Sequence, residues 1–258
     1  MLGKFFKGIR TYGLAVNVLN RYRLWRWVIL PGLLSLLIGG AVVAFAATYT
    51  DQLAHWLGEQ WPFETGEKTF ELVMQIIAII LMVVLVLLSL KYVVLVLVAP
   101  FMGTLSEKVE ARITGQEPPD ASFLQIIKDI GRGLAIAVRN IVREIFYTLL
   151  ITIAGLFIPV VGQVLSTLLI LLIQSYYLGF GNADFTLERK RFSVRDTVNF
   201  VSSYRWLVMG NGAGFLLLLL IPGLGLLLAP GIGTVAATLN IMEVRDGIKY
   251  QPVRELDD

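Results

Sequence analysis

Apolar residues run without a charge from Trp27 to Thr48, and from Leu72 to Ala99 with Lys91 as the one exception. These stretches of 22 and 28 residues exceed the roughly 20 needed to cross the hydrocarbon core, so both predict transmembrane helices. The second is long enough to tilt or to continue into the cytosol. Trp25, Trp27 and Tyr49 flank the first span as interfacial anchors. Ala44-Phe45-Ala46 imitates a leader-peptidase site, but the basic region before the span is too long for a leader, so this span reads as uncleaved.

Two further apolar stretches, Tyr147–Ile173 and Gly214–Met242, are each broken in the same way. Ile158-Pro159-Val160-Val161-Gly162-Gln163-Val164-Leu165 matches Ile221-Pro222-Gly223-Leu224-Gly225-Leu226-Leu227-Leu228 in an I-P-x-x-G-x-x-L pattern. Proline removes a backbone donor and breaks a helix, and glycine three residues on permits a tight turn. The arms on either side, roughly 10–14 residues long, are too short to cross. The pattern predicts two helical hairpins that dip into the bilayer and return, turning at Pro159/Gly162 and Pro222/Gly225. One long kinked span in each place is the alternative.

Charge placement separates these readings. Residues 1–26 carry six basic residues and no acidic one; residues 49–71 carry five acidic residues and one lysine. Residues 100–146 hold six basic and six acidic residues, and residues 184–206 hold five basic and three acidic. The positive-inside rule puts the first, third and fourth blocks in the cytosol and the second outside. A single crossing at 147–173 would strand Arg189, Lys190, Arg191, Arg195 and Arg205 outside, whereas a hairpin keeps them inside.

Two segments are amphipathic. Phe5, Ile9, Tyr12, Val16 and Leu19 form a helical stripe with Lys4, Lys7, Arg10 and Arg21 opposite, which predicts an interfacial helix on anionic headgroups or a partner-binding helix. After Pro118-Pro119, with Asp120 or Ser122 as N-cap, a second helix carries Ile127, Ile130, Leu134, Val138, Ile141 and Ile145 on one face. Lys128, Arg132, Arg139 and Arg143 lie opposite, either touching lipid phosphates or forming a basic vestibule that concentrates anions. Lys91 reads either as snorkelling to the cytosolic headgroups or as lining a pore.

Composition narrows the function. Of 258 residues, 56% are hydrophobic and 16% charged, with mean hydropathy +0.73, so lipid must solvate part of the surface. An ordinary cytosolic enzyme, a disordered chain and a disulfide scaffold are excluded. With no cysteine and one histidine, His55, the chain offers no thiolate metal site and no catalytic residue; no cofactor, metal or nucleic-acid partner is expected. His55 stands beside Trp56 and Trp61 in what reads as a further interfacial helix. Gly210, Gly212 and Gly214 lack the spacing of a nucleotide fingerprint and read as close helix packing or a hinge; Gly39-Gly40 reads as close packing.

The run Ala99-Pro100-Phe101-Met102-Gly103-Thr104-Leu105-Ser106-Glu107-Lys108-Val109-Glu110 resembles the APF-x-G-x-L-x-EKVE signature of the CysZ family of bacterial sulfate permeases, with Met102 where asparagine is common. That family shares a domain with the eukaryotic etoposide-induced endoplasmic-reticulum proteins. Trp27-Val28-Ile29-Leu30-Pro31 resembles its aromatic-V-I-L-P opening of the first span, and Ile158-Pro159-Val160-Val161-Gly162-Gln163 its I-P-x-x-G-Q hairpin. The resemblance implies an all-α integral membrane protein with two long transmembrane helices plus two half-membrane hairpins. It implies one membrane domain over residues 1–244, a cytosolic tail over 245–258, and homo-oligomers in the bacterial inner membrane. The implied function is a permease or channel passing a small inorganic oxyanion, sulfate by the resemblance, for assimilation. A membrane-shaping or assembly protein without a transported substrate is the other reading. The family's sulfate-binding run, G-L-R-R, aligns with Arg23-Leu24-Trp25-Arg26. Arg23, Leu24 and Arg26 are therefore the expected anion site, with Arg23 supplying charge but not the backbone shape of the glycine it replaces.

Overall fold

The computed structural model describes residues 1–58, 67–116, 123–158 and 161–252, and every regular element among them is an α-helix. In order these are α1 (Leu2–Arg21), α2 (Arg26–Gly58), α3 (Glu67–Thr114), α4 (Phe123–Leu156), α5 (Val161–Arg189), α6 (Val194–Ser203), α7 (Arg205–Leu219) and α8 (Leu224–Asp246). Arg26–Leu53, Val161–Arg189 and Leu224–Asp246 are each long and apolar enough to cross a bilayer. The chain is an all-α, multi-pass membrane protein.

Two compact units are present, Leu33–Val98 and Met1–Gly32 with Ala99–Asp258. The first holds most of α2 and the first part of α3, both expected as spans, and exposes Leu37, Val43, Phe45, Leu72 and Ile76. α2 runs on through His55 to Gly58, so the segment around His55 ends the span helix and is not a separate interfacial helix. At Gly40 an added Cβ would meet nothing within 4 Å among the described residues, so that glycine is not a close-packing point.

In the second unit α5, α7, α8 and α1 pack together. The glycines of α7 alternate in what they face. A Cβ at Gly210 would overlap the Phe5 carbonyl of α1, at Gly214 the Tyr12 ring, and at Gly212 the Ser175 carbonyl of α5. Gly179 of α5 abuts the Val208 carbonyl in return. These are packing contacts, backbone against backbone at Gly179, Gly210 and Gly212 and against a ring at Gly214, as expected where lipid gives helices no hydrophobic reason to associate. α8, running through this group, is the most deeply buried of the span-length helices.

α4 turns its polar side toward protein and not toward the cytosol, and α1 is buried along a line beside its apolar stripe, sharing Leu19 with it. α1 buries Gly8, Thr11, Ala15, Val18 and Leu19 against α7 and α8, and leaves most of the Phe5, Ile9, Tyr12, Val16 stripe half-exposed. α4 buries Ile136, Asn140 and Glu144, four residues apart, while Leu134, Val138 and Ile145 stay exposed. The physical reason is the solvent: where lipid surrounds a helix, the bulky apolar stripe faces out and small or polar positions face protein.

Both hairpins turn where the repeat predicts. α4 ends at Leu156 and α5 starts at Val161; α7 ends at Leu219 and α8 starts at Leu224. The Gly162 amide donates to the Ile158 carbonyl at 3.0 Å and the Gly225 amide to the Ile221 carbonyl at 2.8 Å. A Cβ at Gly162 would overlap the Gly155 carbonyl, and one at Gly225 the Leu218 carbonyl, again the same offset. Gly223, at φ 73, opens α8 beside Pro222. Pro159, like Asp120 and Ser122, lies outside the described residues. Most arms are longer than expected: α5 has 29 residues and α8 has 23, against 15 for α7. The extra length is polar and protein-packed, as in α5, whose exposed apolar stretch ends near Leu172 and whose buried part runs from Ser175 to Leu187.

Gly212→Val should destabilise the detergent-solubilised protein by about 1–3 kcal/mol or more, because the new side chain meets backbone and not a movable side chain. Gly13→Ala, in an open position of α1, should be neutral or stabilising by about 0.5–1 kcal/mol. Thermal-shift midpoints of the two variants check both; equal midpoints would contradict the packing described.

Candidate functional site

The expected anion run lies between α1 and α2, and its geometry follows from how α1 ends. The Leu24 amide donates to the Leu19 carbonyl at 3.0 Å and the Arg23 amide to the Asn20 carbonyl at 3.3 Å. With Arg23 at φ 54, this has both hydrogen bonds of a Schellman cap, and Leu24 and Leu19, the pair that faces each other in that motif, are both buried. Glycine is the usual residue at this left-handed position. Arg23 therefore does supply the backbone shape expected only of glycine, at a cost of about 1–2 kcal/mol.

The cap also revises the roles in the run. Leu24 is 5% exposed and turns inward, so it anchors the turn and contacts no anion by its side chain. The amides of Arg23 and Leu24 are spent on α1. Arg23 sits outside any helix, so helical i,i+3 spacing does not place it beside Arg26; both side chains are nevertheless exposed at the junction. Trp25 donates from Nε1 to Asn20 Oδ1 at 2.6 Å, tying the start of α2 to the end of α1.

The candidate vestibule divides. Arg132 is turned into the protein, donating to Asp184 Oδ1 at 2.8 Å, Thr197 Oγ1 at 2.6 Å, Glu188 Oε2 at 3.4 Å and the Phe192 carbonyl. It joins α4, α5 and α6. A carboxylate as buried as Asp184 requires such a partner. Arg139 is half-buried and donates to Asn140 Oδ1 at 3.0 Å. Lys128 and Arg143 remain exposed. The structure thus does not bring the four cations onto one open face. Lys91 lies in α3 and its side chain is outside what is described.

Sequence reasoning missed a polar interior. Ser106 of α3, Thr186 of α5 and Thr238 of α8 are fully buried and close a triangle of hydroxyls at 3.0, 3.0 and 3.1 Å. Asn182 of α5 donates to Asn211 Oδ1 of α7 at 2.9 Å, and Asn211 donates to the Gly233 carbonyl at 3.1 Å. Below the hydroxyls, Glu110 takes Arg189 and, at 2.9 Å, Lys190, which also holds Asp246 at 2.7 Å. The polar residues recur at helical spacing inside apolar helices, Asn182 and Thr186 in α5 and Thr234 and Thr238 in α8, and that is the signal that could have found them.

A family model described as Sulfate transporter CysZ/Etoposide-induced protein 2.4 matches residues 12–230. Among curated relatives, a sulfate transporter CysZ of Pseudomonas aeruginosa is 26% identical over 234 residues, covering 90% of this chain and 93% of that protein. One of the same name from Pseudomonas paraeruginosa has the same identity and coverage. One from Pectobacterium atrosepticum is 29% identical over 135 residues, covering 51% of this chain and 48% of that protein. The chain belongs to this family.

Glu110 gives a pH prediction. Burial pushes its carboxyl up, but the hydrogen bonds and charges of Arg189 and Lys190 more than reverse this and hold it below the ordinary carboxylate value. The stability it contributes is present above that ordinary value and is lost as pH falls through the lowered folded one. Glu110→Gln should cost on the order of 1–3 kcal/mol at neutral pH. The gap to wild type should close below about pH 4. A thermal-shift series over pH checks this; a gap that does not change with pH would contradict it.

Proposed function

We propose that this member of the family carries a small inorganic oxyanion, sulfate by the names of its relatives, across the cytoplasmic membrane of a bacterium. The observation that carries the reading is the backbone at Arg23. Arg23 takes the left-handed form that glycine adopts most readily, at the position where the family's run has glycine, so the departure in sequence leaves a turn open to either residue and adds a cation to it. Arg26 stands exposed at the first residue of α2. Its planar guanidinium donates two aligned hydrogen bonds to a tetrahedral oxyanion. Lys4, Arg10 and Arg21 of α1 add positive potential that draws anions to this side, whereas Lys7 is paired with Glu243 at 2.7 Å. The sequence holds no nucleotide fingerprint, so transport is passive or coupled to an ion gradient.

In this reading the repeat hairpins enter the bilayer to half depth and leave both termini in the cytosol. The α4–α5 hairpin exposes Phe157, Val161, Val164 and Leu168, a face for lipid or for a second copy of the chain. That same exposed hairpin favours the other reading, a membrane-shaping protein that moves nothing, and a flux measurement separates the two.

Proteoliposomes holding the purified protein should take up radiolabelled sulfate, and empty liposomes should not. No uptake above the empty control would leave the membrane-shaping reading. In calorimetric titration, Arg26→Ala should weaken sulfate binding by on the order of 1–3 kcal/mol and Lys4→Ala should leave it nearly unchanged. Arg23→Gly should raise thermal stability by on the order of 1 kcal/mol, because the left-handed strain it removes exceeds the attraction of the cation to the end of α1 that it loses. It should weaken binding less than Arg26→Ala does. Equal affinity in wild type and all three variants would reject the Arg23–Arg26 run as the site.

A further inference from the structure

Trp27, the second residue of α2, carries a feature that the transport reading leaves unused. Its indole Nε1 is sealed from solvent and has no acceptor among the described residues. A buried N–H without an acceptor is costly, and such orphans recur where a water or an ion belongs. Two cations stand against the same ring. Arg26 Cζ is 5.9 Å and Lys108 Nζ 4.8 Å from its centroid. Lys108 comes from α3, within the EKVE run, so the two charges converge from different helices. Neither makes an ion pair with a carboxylate among the described residues, and neighbouring Glu107 makes none with them. Arg23, also without such a pair, is exposed at the same junction.

α7 supplies a comparison inside the molecule. It too begins Arg-Trp, with Arg205 Cζ 6.0 Å from the Trp206 ring centroid and the Trp206 Nε1 buried and unpartnered. No second cation stands over the Trp206 ring among the described residues. The α2 pair therefore differs from the α7 pair by the lysine that α3 brings to it.

We infer that Trp27 and Lys108 complete the oxyanion site begun by Arg26, the indole N–H donating to the anion and the ammonium balancing its second charge. The inference rests on the reading of the Arg23–Arg26 run as an anion site. The Lys108 ammonium lies over the ring, where cation–π attraction holds it. Its flexible four-carbon stem lets the ammonium leave the ring for the anion. A buried neutral donor suits a dianion, because it adds a directed hydrogen bond without a counter-charge of its own. The ligand is thus an oxyanion with tetrahedrally arranged oxygens, either free sulfate or the phosphate of a lipid headgroup.

Titration calorimetry on detergent-purified protein tests this with sodium sulfate as the probe. Trp27→Phe keeps the ring and its cation contacts but removes the N–H. It should weaken sulfate binding roughly tenfold, as for a hydrogen bond to a charged group. Lys108→Gln should do the same, and Trp206→Phe should stay within about twofold of wild type. Independently, one indole N–H resonance of 15N-labelled wild type should move on sulfate addition, and that movement should vanish in Lys108→Gln. This arm needs no Trp27 variant to fold. In nanodiscs, loss of anionic-lipid binding by Trp27→Phe with sulfate affinity intact would identify the headgroup as the ligand. Sulfate and anionic-lipid binding by Trp27→Phe both equal to wild type would overturn the inference while leaving the transport reading in place. Wild type that neither carries sulfate nor binds sulfate or anionic lipid would overturn the transport reading and the inference with it.

Discussion

Gly179 of α5 and Gly212 of α7 each stand where a Cβ would enter the other helix's backbone. That approach decides which side chains can meet. In lipid, helices gain little from hiding apolar surface against one another, so van der Waals contact and polar pairing must hold them. The glycines bring α5 and α7 close enough for Asn182 to reach Asn211 and for Asn211 to reach the Gly233 carbonyl of α8. α1 joins through the same device on the other side of α7, at Gly8 and Gly210. Once those helices are fixed, the Ser106, Thr186 and Thr238 hydroxyls bond one another. The carboxylate of Glu110 then finds Arg189, the last residue of α5, and Lys190 just beyond it.

The same constraint explains which parts of the structure were legible in the sequence. Apolar length identifies α2 as long enough to cross, because that depends on composition alone, but it did not show that α5 and α8 reach span length as well. The repeated I-P-x-x-G identifies the two turns, because proline and glycine act locally. The inward faces of α1 and α4 were not legible from apolar stripes. A stripe marks the core only when water is the outside solvent. Here Leu134, Val138 and Ile145 face outward while Asn140 and Glu144 are buried. Small and polar positions, Gly8, Thr11 and Ala15 in α1, were the inward signal. Arg132 was misread for the same reason: on a helix whose polar side packs against protein, an arginine is the partner of a buried acid.

The candidate site was legible in its position and not in its chemistry. Alignment with the family's run placed it between α1 and α2. What alignment could not give was the use of each amide, since that depends on how α1 terminates. The cap consumes the amides of Arg23 and Leu24, so an anion there meets side chains, not a backbone cradle formed by that pair. This moves the burden of recognition to Arg26 and to whatever other donors the neighbouring helices present.

Arg23 has a counterpart at the end of α5 that shows the cap to be a general solution in this chain. Arg191 has φ 61, its amide donates to the Glu188 carbonyl at 2.9 Å, and the Phe192 amide donates to the Leu187 carbonyl at 3.1 Å. Leu187 is fully buried and Phe192 packs on its cluster. Both helices thus end in the same motif with arginine in the left-handed position. A cation beside a helix C-terminus is attracted by the partial negative charge of the unsatisfied carbonyls, by roughly 0.3–1 kcal/mol. That attraction offsets part of the strain of about 1–2 kcal/mol. It also makes arginine a better substitute for glycine there than an uncharged residue of the same shape. Glycine-to-arginine at position 23 is therefore conservative for the backbone and radical for the electrostatics: the turn survives, and an exposed charge is added where α2 begins.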